Sequence, residues 1–181
     1  MKNFIIAIMV SHFFTSCSTT MNQAVYDQRS KTKILVGLSN RGGLQQDPFA
    51  IWFNKEYGAY ALNKEAVQVL NNDRENLSIK LFMGTWCEDS RREVPRIYRI
   101  LDAADFNESR LTLINVDREK KSPDGEETGL NIHHVPTLIL YKNSNEIGRV
   151  IEFPIESMEE DIAAIINGEK YTPNYSDFGA D

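Results

Sequence analysis

The stretch "FMGTWCEDSRREVP", Phe82 to Pro95, joins an apolar run to a charged segment, and a single cysteine, Cys87, stands at the junction. Upstream, "LSIKLFMG" (77–84) has the length and composition of a strand. Downstream, Val94, Ile97, Tyr98, Leu101 and Ala104 fall on one face of a helix over Glu88 to Ala104. A strand that turns straight into a helix sets Cys87 where the first backbone N–H groups lack partners and the helix dipole favours negative charge. That position suits a thiolate, the nucleophilic form of cysteine. The neighbouring charges pull in opposite directions: Glu88 and Asp89 oppose an adjacent thiolate, whereas Arg91 and Arg92 favour it. The alternative is a buried structural cysteine, but the Glu-Asp-Ser-Arg-Arg run that follows places this turn at the surface.

Working outward, "KILVGL" (33–38) and "LTLINVD" (111–117) read as further strands, so 77–117 forms a strand–helix–strand unit with parallel pairing. "VPTLILYKNSNEIGRVIEF" then holds two strand-like runs, 137–142 and 146–153, around Asn143-Ser144-Asn145, the signature of a hairpin. Glu156 to Asn167, apolar at Met158, Ile162, Ile165 and Ile166 with Gly168 just beyond, reads as a closing amphipathic helix. "DPFAIWFNKEYGAYAL" (47–62) spaces Phe49, Trp52, Phe53, Tyr57 and Tyr60 as an added helix packed on the sheet, with a partner groove as the functional alternative. Loop 118–129 reads as a solvated charged turn.

Taken together, "TWCEDS" leaving a strand and opening a helix, Pro95 within that helix, "NVD" ending the next strand, "HVPT" opening a hairpin and a final helix resemble the thioredoxin family over roughly residues 75–168. The resemblance implies an α/β thioredoxin fold, a central mixed sheet flanked by helices, here with an N-terminal helical insert. It implies that Cys87 is the reactive thiol and that Trp86 lies beside it as a flat cover, a core aromatic being the plainer reading. Pro95 becomes a tolerated helix kink. Pro136 becomes a cis proline packed against Cys87, with Val135, Pro136 and Thr137 forming the opposite wall and offering backbone groups to an extended substrate.

Two departures fall on one half-reaction. The family's second cysteine is Ser90, whose hydroxyl can donate to a Cys87 thiolate but cannot attack a mixed disulfide. The family's buried acid on the preceding strand is Leu81. His133 and His134 beside the proline loop raise the options of a Cys/His metal site or a base for the thiol. In a strand-like segment their side chains point to opposite sides, leaving at most one to face the sulfur. No metal or cofactor is implied.

At 181 residues and 41% apolar, the chain holds one domain with a proper core, over 33–170, followed by a C-terminal tail, 171–181. A formal charge of −6, with no Lys/Arg-rich run, excludes general attraction to nucleic acid. The N-terminus reads as a targeting segment: Lys2, then an apolar run from Phe4 to Val10 continued by Phe13 and Phe14, too short to span a bilayer. "FFTSC" resembles the lipobox of bacterial lipoproteins, with Phe14 where leucine is usual. Residues 1–16 are then a signal peptide, Cys17 is the lipidated residue, and 17–32 is a flexible tether. A plain secretory signal is the alternative. A lipid-anchored, periplasm-facing envelope protein follows.

If Cys17 carries lipid, Cys87 is the one remaining thiol and no internal disulfide forms. The function expected is a monothiol thiol–disulfide oxidoreductase acting on protein clients through mixed disulfides, completed by an external reductant. The alternative is a non-catalytic thioredoxin-fold binding or chaperone module. An iron–sulfur carrier of the monothiol glutaredoxin type is disfavoured, because that family's Gly-Phe-Ser is here Glu-Asp-Ser.

Overall fold

The computed structural model describes residues 20–178. Among them, β1 (Gln23–Asp27), β2 (Thr32–Ser39), β3 (Leu77–Met83), β4 (Leu111–Asn115), β5 (Thr137–Lys142) and β6 (Asn145–Ile151) form one mixed sheet in the order β1-β2-β4-β3-β5-β6. The helices are α1 (Arg41–Leu44), α2 (Ala50–Ala59), α3 (Lys64–Asp73), α4 (Glu88–Ala103) and α5 (Met158–Ile166). The architecture is an α/β thioredoxin fold with added helices before the central strand pair.

The strand–helix–strand unit pairs in parallel, with Leu81 opposite Leu113 and Met83 opposite Asn115. β5 runs antiparallel to β3, so Phe82 faces Thr137 and the start of β5 lies beside the end of β3. The β5–β6 hairpin closes between the paired residues Lys142 and Asn145 through Asn143 and Ser144, both with positive φ. That is the geometry whose twist matches the flanking strands, and Asn tolerates it well.

Alternation along the strands divides the core. Leu81, Met83 and Leu113 pack with Phe53 of α2, Leu70 of α3, Ile97 of α4 and Ile162 of α5 in the larger cluster. Phe82, Ile114, Val116 and Ile139 face the other way, against Ile132 and Val135. The helices therefore gather on one face of the sheet, and the loop between β4 and β5 supplies the apolar cover of the other. The aromatic insert is core, as its spacing implies: Phe53 is buried, stacks on Tyr57 at 6.1 Å and meets Tyr98 edge-on at 5.6 Å. Each such burial contributes roughly 1.5–3 kcal/mol.

Three segments differ from the sequence reading. The tether read over 17–32 falls partly outside the described residues, but its 23–27 portion is β1, an edge strand paired with β2 from Gln23 opposite Val36 to Asp27 opposite Thr32. Its outward Tyr26 and polar neighbours made it look like linker. The tail from 171 onward packs back on the domain: the Tyr171 hydroxyl donates to Asp161 and the Asn174 amide to the Phe153 carbonyl. Loop 118–129 is organised around a buried carboxylate, Glu127, which accepts from both the backbone N–H and the hydroxyl of Ser122. The expected signal peptide, 1–16, and Cys17 lie outside the described residues.

Candidate active site

Cys87 is the N-cap of α4, in extended conformation, and no side chain caps the helix. The first-turn amides of α4 are thus donors without a side-chain acceptor, aimed at the region of the sulfur. The Cys87 N–H donates to Gly84 O at 2.9 Å, and Arg91 N–H donates to Cys87 O at 3.1 Å, so turn and helix are fastened on both sides of the thiol. Cys87 is a free cysteine and half-buried. Its Sγ lies 3.2 Å from Val135 O, the carbonyl preceding Pro136. The Val135–Pro136 peptide bond is cis. Cys87 and the proline loop, 48 residues apart in the chain, therefore meet.

The loop is held from behind. Thr137 Oγ1 donates to His134 O at 2.7 Å, and Pro136 O accepts from Glu152 N–H at 2.6 Å. Val135, Pro136 and Thr137 are buried, so what they present to a substrate is backbone. Thr137 braces the loop.

Trp86, the residue before Cys87, is half-buried and packs with it against the second apolar cluster. Its Nε1 donates to Val116 O at 2.8 Å, while the Arg118 guanidinium and the Lys120 ammonium sit 5.1 Å and 5.8 Å from its ring centre. Cations over an indole face are attracted by its quadrupole. Arg118 is fixed by a fork to Asp27, with Nη2 to Oδ2 at 2.7 Å, and that bond holds the Asp27 carboxyl well below the usual carboxylate range. So β1 is tied to Trp86 through Asp27 and Arg118. Gly84 permits the ring's position: a Cβ there would stand 2.5 Å from Trp86 Cε2.

Ser90 is bonded to the turn that carries Cys87. It is fully buried, and its Oγ accepts from Gly84 N–H at 3.2 Å. Among the described residues no hydrogen bond joins it to Cys87; its oxygen braces the turn, and accepting there leaves its own O–H proton unused. Leu81 is fully buried in the larger apolar cluster, so no carboxylate occupies that strand position. The arginines are also committed: Arg91 Nε donates to Thr85 O at 2.6 Å, and Arg92 binds Asp89 at 2.7 Å and Glu93 at 2.6 Å. Arg92 is thus shared between Asp89 and Glu93. Thr85, fully buried, accepts from Leu35 N–H and ties the turn to β2.

His133 and His134 do not diverge. They precede β5 in a bend, and their Nδ1 atoms approach to 2.8 Å with the rings edge-on at 5.1 Å. Burial, the neighbouring His134 and Arg149 together lower the basicity of His133. The tail supplies residues that the sequence reading left out of the site: Tyr175 stacks on His134 at 3.9 Å and 6°, and Phe178 lies 4.4 Å from His133. No signal in composition marks these rings, since the segment is short and polar.

No family model matches the chain, and no curated protein matches it. Solved structures similar to it include a protein of unknown function from Pseudomonas aeruginosa, 16% identical, with 66% of this chain and 72% of that one covered at a TM-score of 0.42. Oxidized thioredoxin O2 from Arabidopsis thaliana is 21% identical over 48% of this chain and 71% of its own, at 0.32. An HIV epitope scaffold, 4E10, is 15% identical over 66% and 88%, at 0.33. The fold assignment stands on the strand order, the strand–turn–helix at Cys87 and the proline loop facing it.

Proposed function

We propose that the protein is a member of the thioredoxin family that carries out thiol–disulfide exchange with protein clients through Cys87 alone, on a lipid anchor at Cys17 in a bacterial envelope. The observation that carries this reading is the placement of Cys87 Sγ at an uncapped helix N-terminus, 3.2 Å from the carbonyl that precedes Pro136. In the resting thiol, S–H donates to Val135 O. When the proton leaves, the first-turn amides of α4 receive the negative charge.

The thiolate attacks one sulfur of a client disulfide; a new Cys87–client S–S bond forms, the client's S–S bond breaks, and the client's other sulfur leaves as a thiolate. The buried Ser90 hydroxyl cannot reverse that bond. An external thiol attacks the client sulfur of the mixed disulfide, which breaks the Cys87–client bond, releases the Cys87 thiolate and joins the external thiol to the client; a second external thiol attacks that new bond, frees the client thiol and leaves as the external disulfide. Buried Leu81 offers no proton acceptor for an internal resolving step, which agrees with resolution from outside.

The test is to isolate the full-length protein from an envelope under alkylating conditions and run it on non-reducing gels. Adducts that vanish on reduction and are absent from Cys87→Ala support the reading. Absence of adducts, together with full biological activity of Cys87→Ala, supports the binding-module reading. A labelled-lipid incorporation assay on Cys17→Ala tests the anchor, and unchanged labelling removes it.

A further inference from the structure

Four of the seven large apolar side chains exposed among the described residues fall in two segments that are tied together, Phe153 (39% exposed) and Ile155 (51%) in one and Tyr175 (40%) and Phe178 (54%) in the other. Their backbone is specialised for this. Glu152 has φ +66° and donates its N–H to Pro136 O, which turns the chain at the end of β6 and brings Phe153 up against the loop. Asn174 Nδ2 donates to Phe153 O at 2.8 Å, tying the tail to the same corner. The rings support one another: Tyr175 lies flat on His134, Phe178 meets His133 and stands edge-on to His134 at 5.5 Å, and Phe153 stands edge-on to Tyr175 at 6.5 Å. A cleft of about 220 Å³ opens beside them, lined in part by Asn131, His133, Arg149 and Tyr175.

We infer that this aromatic corner is a docking surface for an unfolded polypeptide segment that carries apolar side chains flanked by Lys or Arg, and that it presents such segments to Cys87. The inference rests on the thiol-exchange reading for its use, but it concerns binding and is tested without the thiol. A segment whose task was to cover the loop would bury its rings; here the tail is docked and about half of each ring still faces water. Contiguous apolar exposure of this kind marks an interaction site, and aromatic rings held by stacking lose little freedom on binding.

Continuity with the thiol and charge choose the partner. His134, the platform for Tyr175, immediately precedes Val135, the residue whose carbonyl lies against Cys87 Sγ. Because that sulfur is half-buried in its turn, a flexible chain can present a disulfide to it more readily than a rigid folded face. Acids border the rings in sequence: Glu152 before Phe153, Glu156 after Ile155 and Asp177 before Phe178. Tyr175 faces the Glu152 carboxylate and feels the charge of Asp89. The nearby cation Arg149 is already bound to Glu146 and to Leu130 O. Carboxylates next to the exposed apolar side chains in the chain favour basic flanks on a partner and reject acidic ones.

The experiment uses the full chain and a labelled, cysteine-free peptide with a Phe/Leu centre and Arg flanks, compared with the same peptide carrying Glu flanks, followed by fluorescence anisotropy. The Arg peptide should bind about tenfold more tightly at low ionic strength, and salt should narrow the gap. Tyr175→Ala with Phe178→Ala should weaken binding of the Arg peptide about tenfold. Glu152→Gln with Asp177→Asn, which keeps the rings, should erase the preference between the two peptides. Equal binding of both peptides by wild type, or equal or tighter binding by the ring variant, overturns the inference, the tighter case meaning that the tail is a cover. Peptide binding that persists while Cys87 proves inert to disulfides refutes the thiol reading and leaves the docking surface standing.

Discussion

Replacing Gly84 by alanine tests how the turn holds Trp86. The glycine is not in the left-handed region, so its backbone accepts an alanine without strain, and the cost lies in the contact. The added Cβ would stand 2.5, 2.6 and 2.9 Å from Trp86 Cε2, Nε1 and Cζ2, whereas ordinary contact begins at 3.4 Å. The indole must move by nearly an ångström, and it is tethered by the 2.8 Å bond to Val116 O. Losing that bond costs roughly 0.5–1.5 kcal/mol. Overpacking adds roughly 1–3 kcal/mol, and the stiffer unfolded chain returns about 0.4–1 kcal/mol. The net expectation for Gly84→Ala is a destabilisation of about 0.5–4 kcal/mol, read from urea denaturation and from the emission of Trp86 in a Trp52→Phe background. In a Trp86→Ala background the same substitution should become nearly neutral, a double-mutant cycle that isolates the contact. A stability change within about 0.3 kcal/mol of zero in the native background, or equal costs in both, would refute the close approach.

Ser90→Ala leaves Gly84 N–H buried without its acceptor and should cost about 1–3 kcal/mol in chemical denaturation; no loss would mean that Ser90 does not brace the turn. Ser90→Cys should carry part of that cost, since sulfur is a weaker acceptor, while converting persistent mixed disulfides into transient ones on non-reducing gels. Glu127→Ala strands the Ser122 N–H and hydroxyl and should also lower stability by about 1–3 kcal/mol, whereas a purely solvated loop would show no change. Because folding lowers the basicity of His133, the unfolded chain binds the proton more readily; the contribution of His133 is complete above the unfolded value of about 6.5 and is lost as pH falls below it. Melting temperatures should therefore fall from pH 7 to pH 5 more steeply in wild type than in His133→Asn, and parallel slopes would contradict this.

The elements around Cys87 were legible because two periodicities meet there: apolar alternation in 77–84 and helical spacing from Val94 to Ala104. The hairpin was legible because Asn143 and Ser144 suit positive φ. β1 was not, because an edge strand can leave its side chains in water, and Gln23 to Asp27 carry no alternation that separates them from linker. The buried role of Glu127 was hidden because a carboxylate held by Ser122 and paired with Lys121 looks like any charged loop residue in sequence. The histidine pair misled through its assumed strand geometry: in the bend before β5, successive side chains come together rather than alternate. Ser90 shows the limit of position as a guide, since its place in the turn is as expected and its hydrogen bond is to Gly84. The tail's aromatic contacts are long-range, and local pattern does not encode them.

The central claim is that the fold presents Cys87 as a nucleophile. The direct measurement is the rate at which the purified protein forms a mixed disulfide with a small disulfide such as oxidised glutathione, followed by intact mass, in the native state and again in denaturant at the same pH. The account predicts a single adduct, at Cys87, that forms at least as fast in the folded protein as in the unfolded one and is released by added thiol. A cysteine that reacts only after unfolding would contradict it.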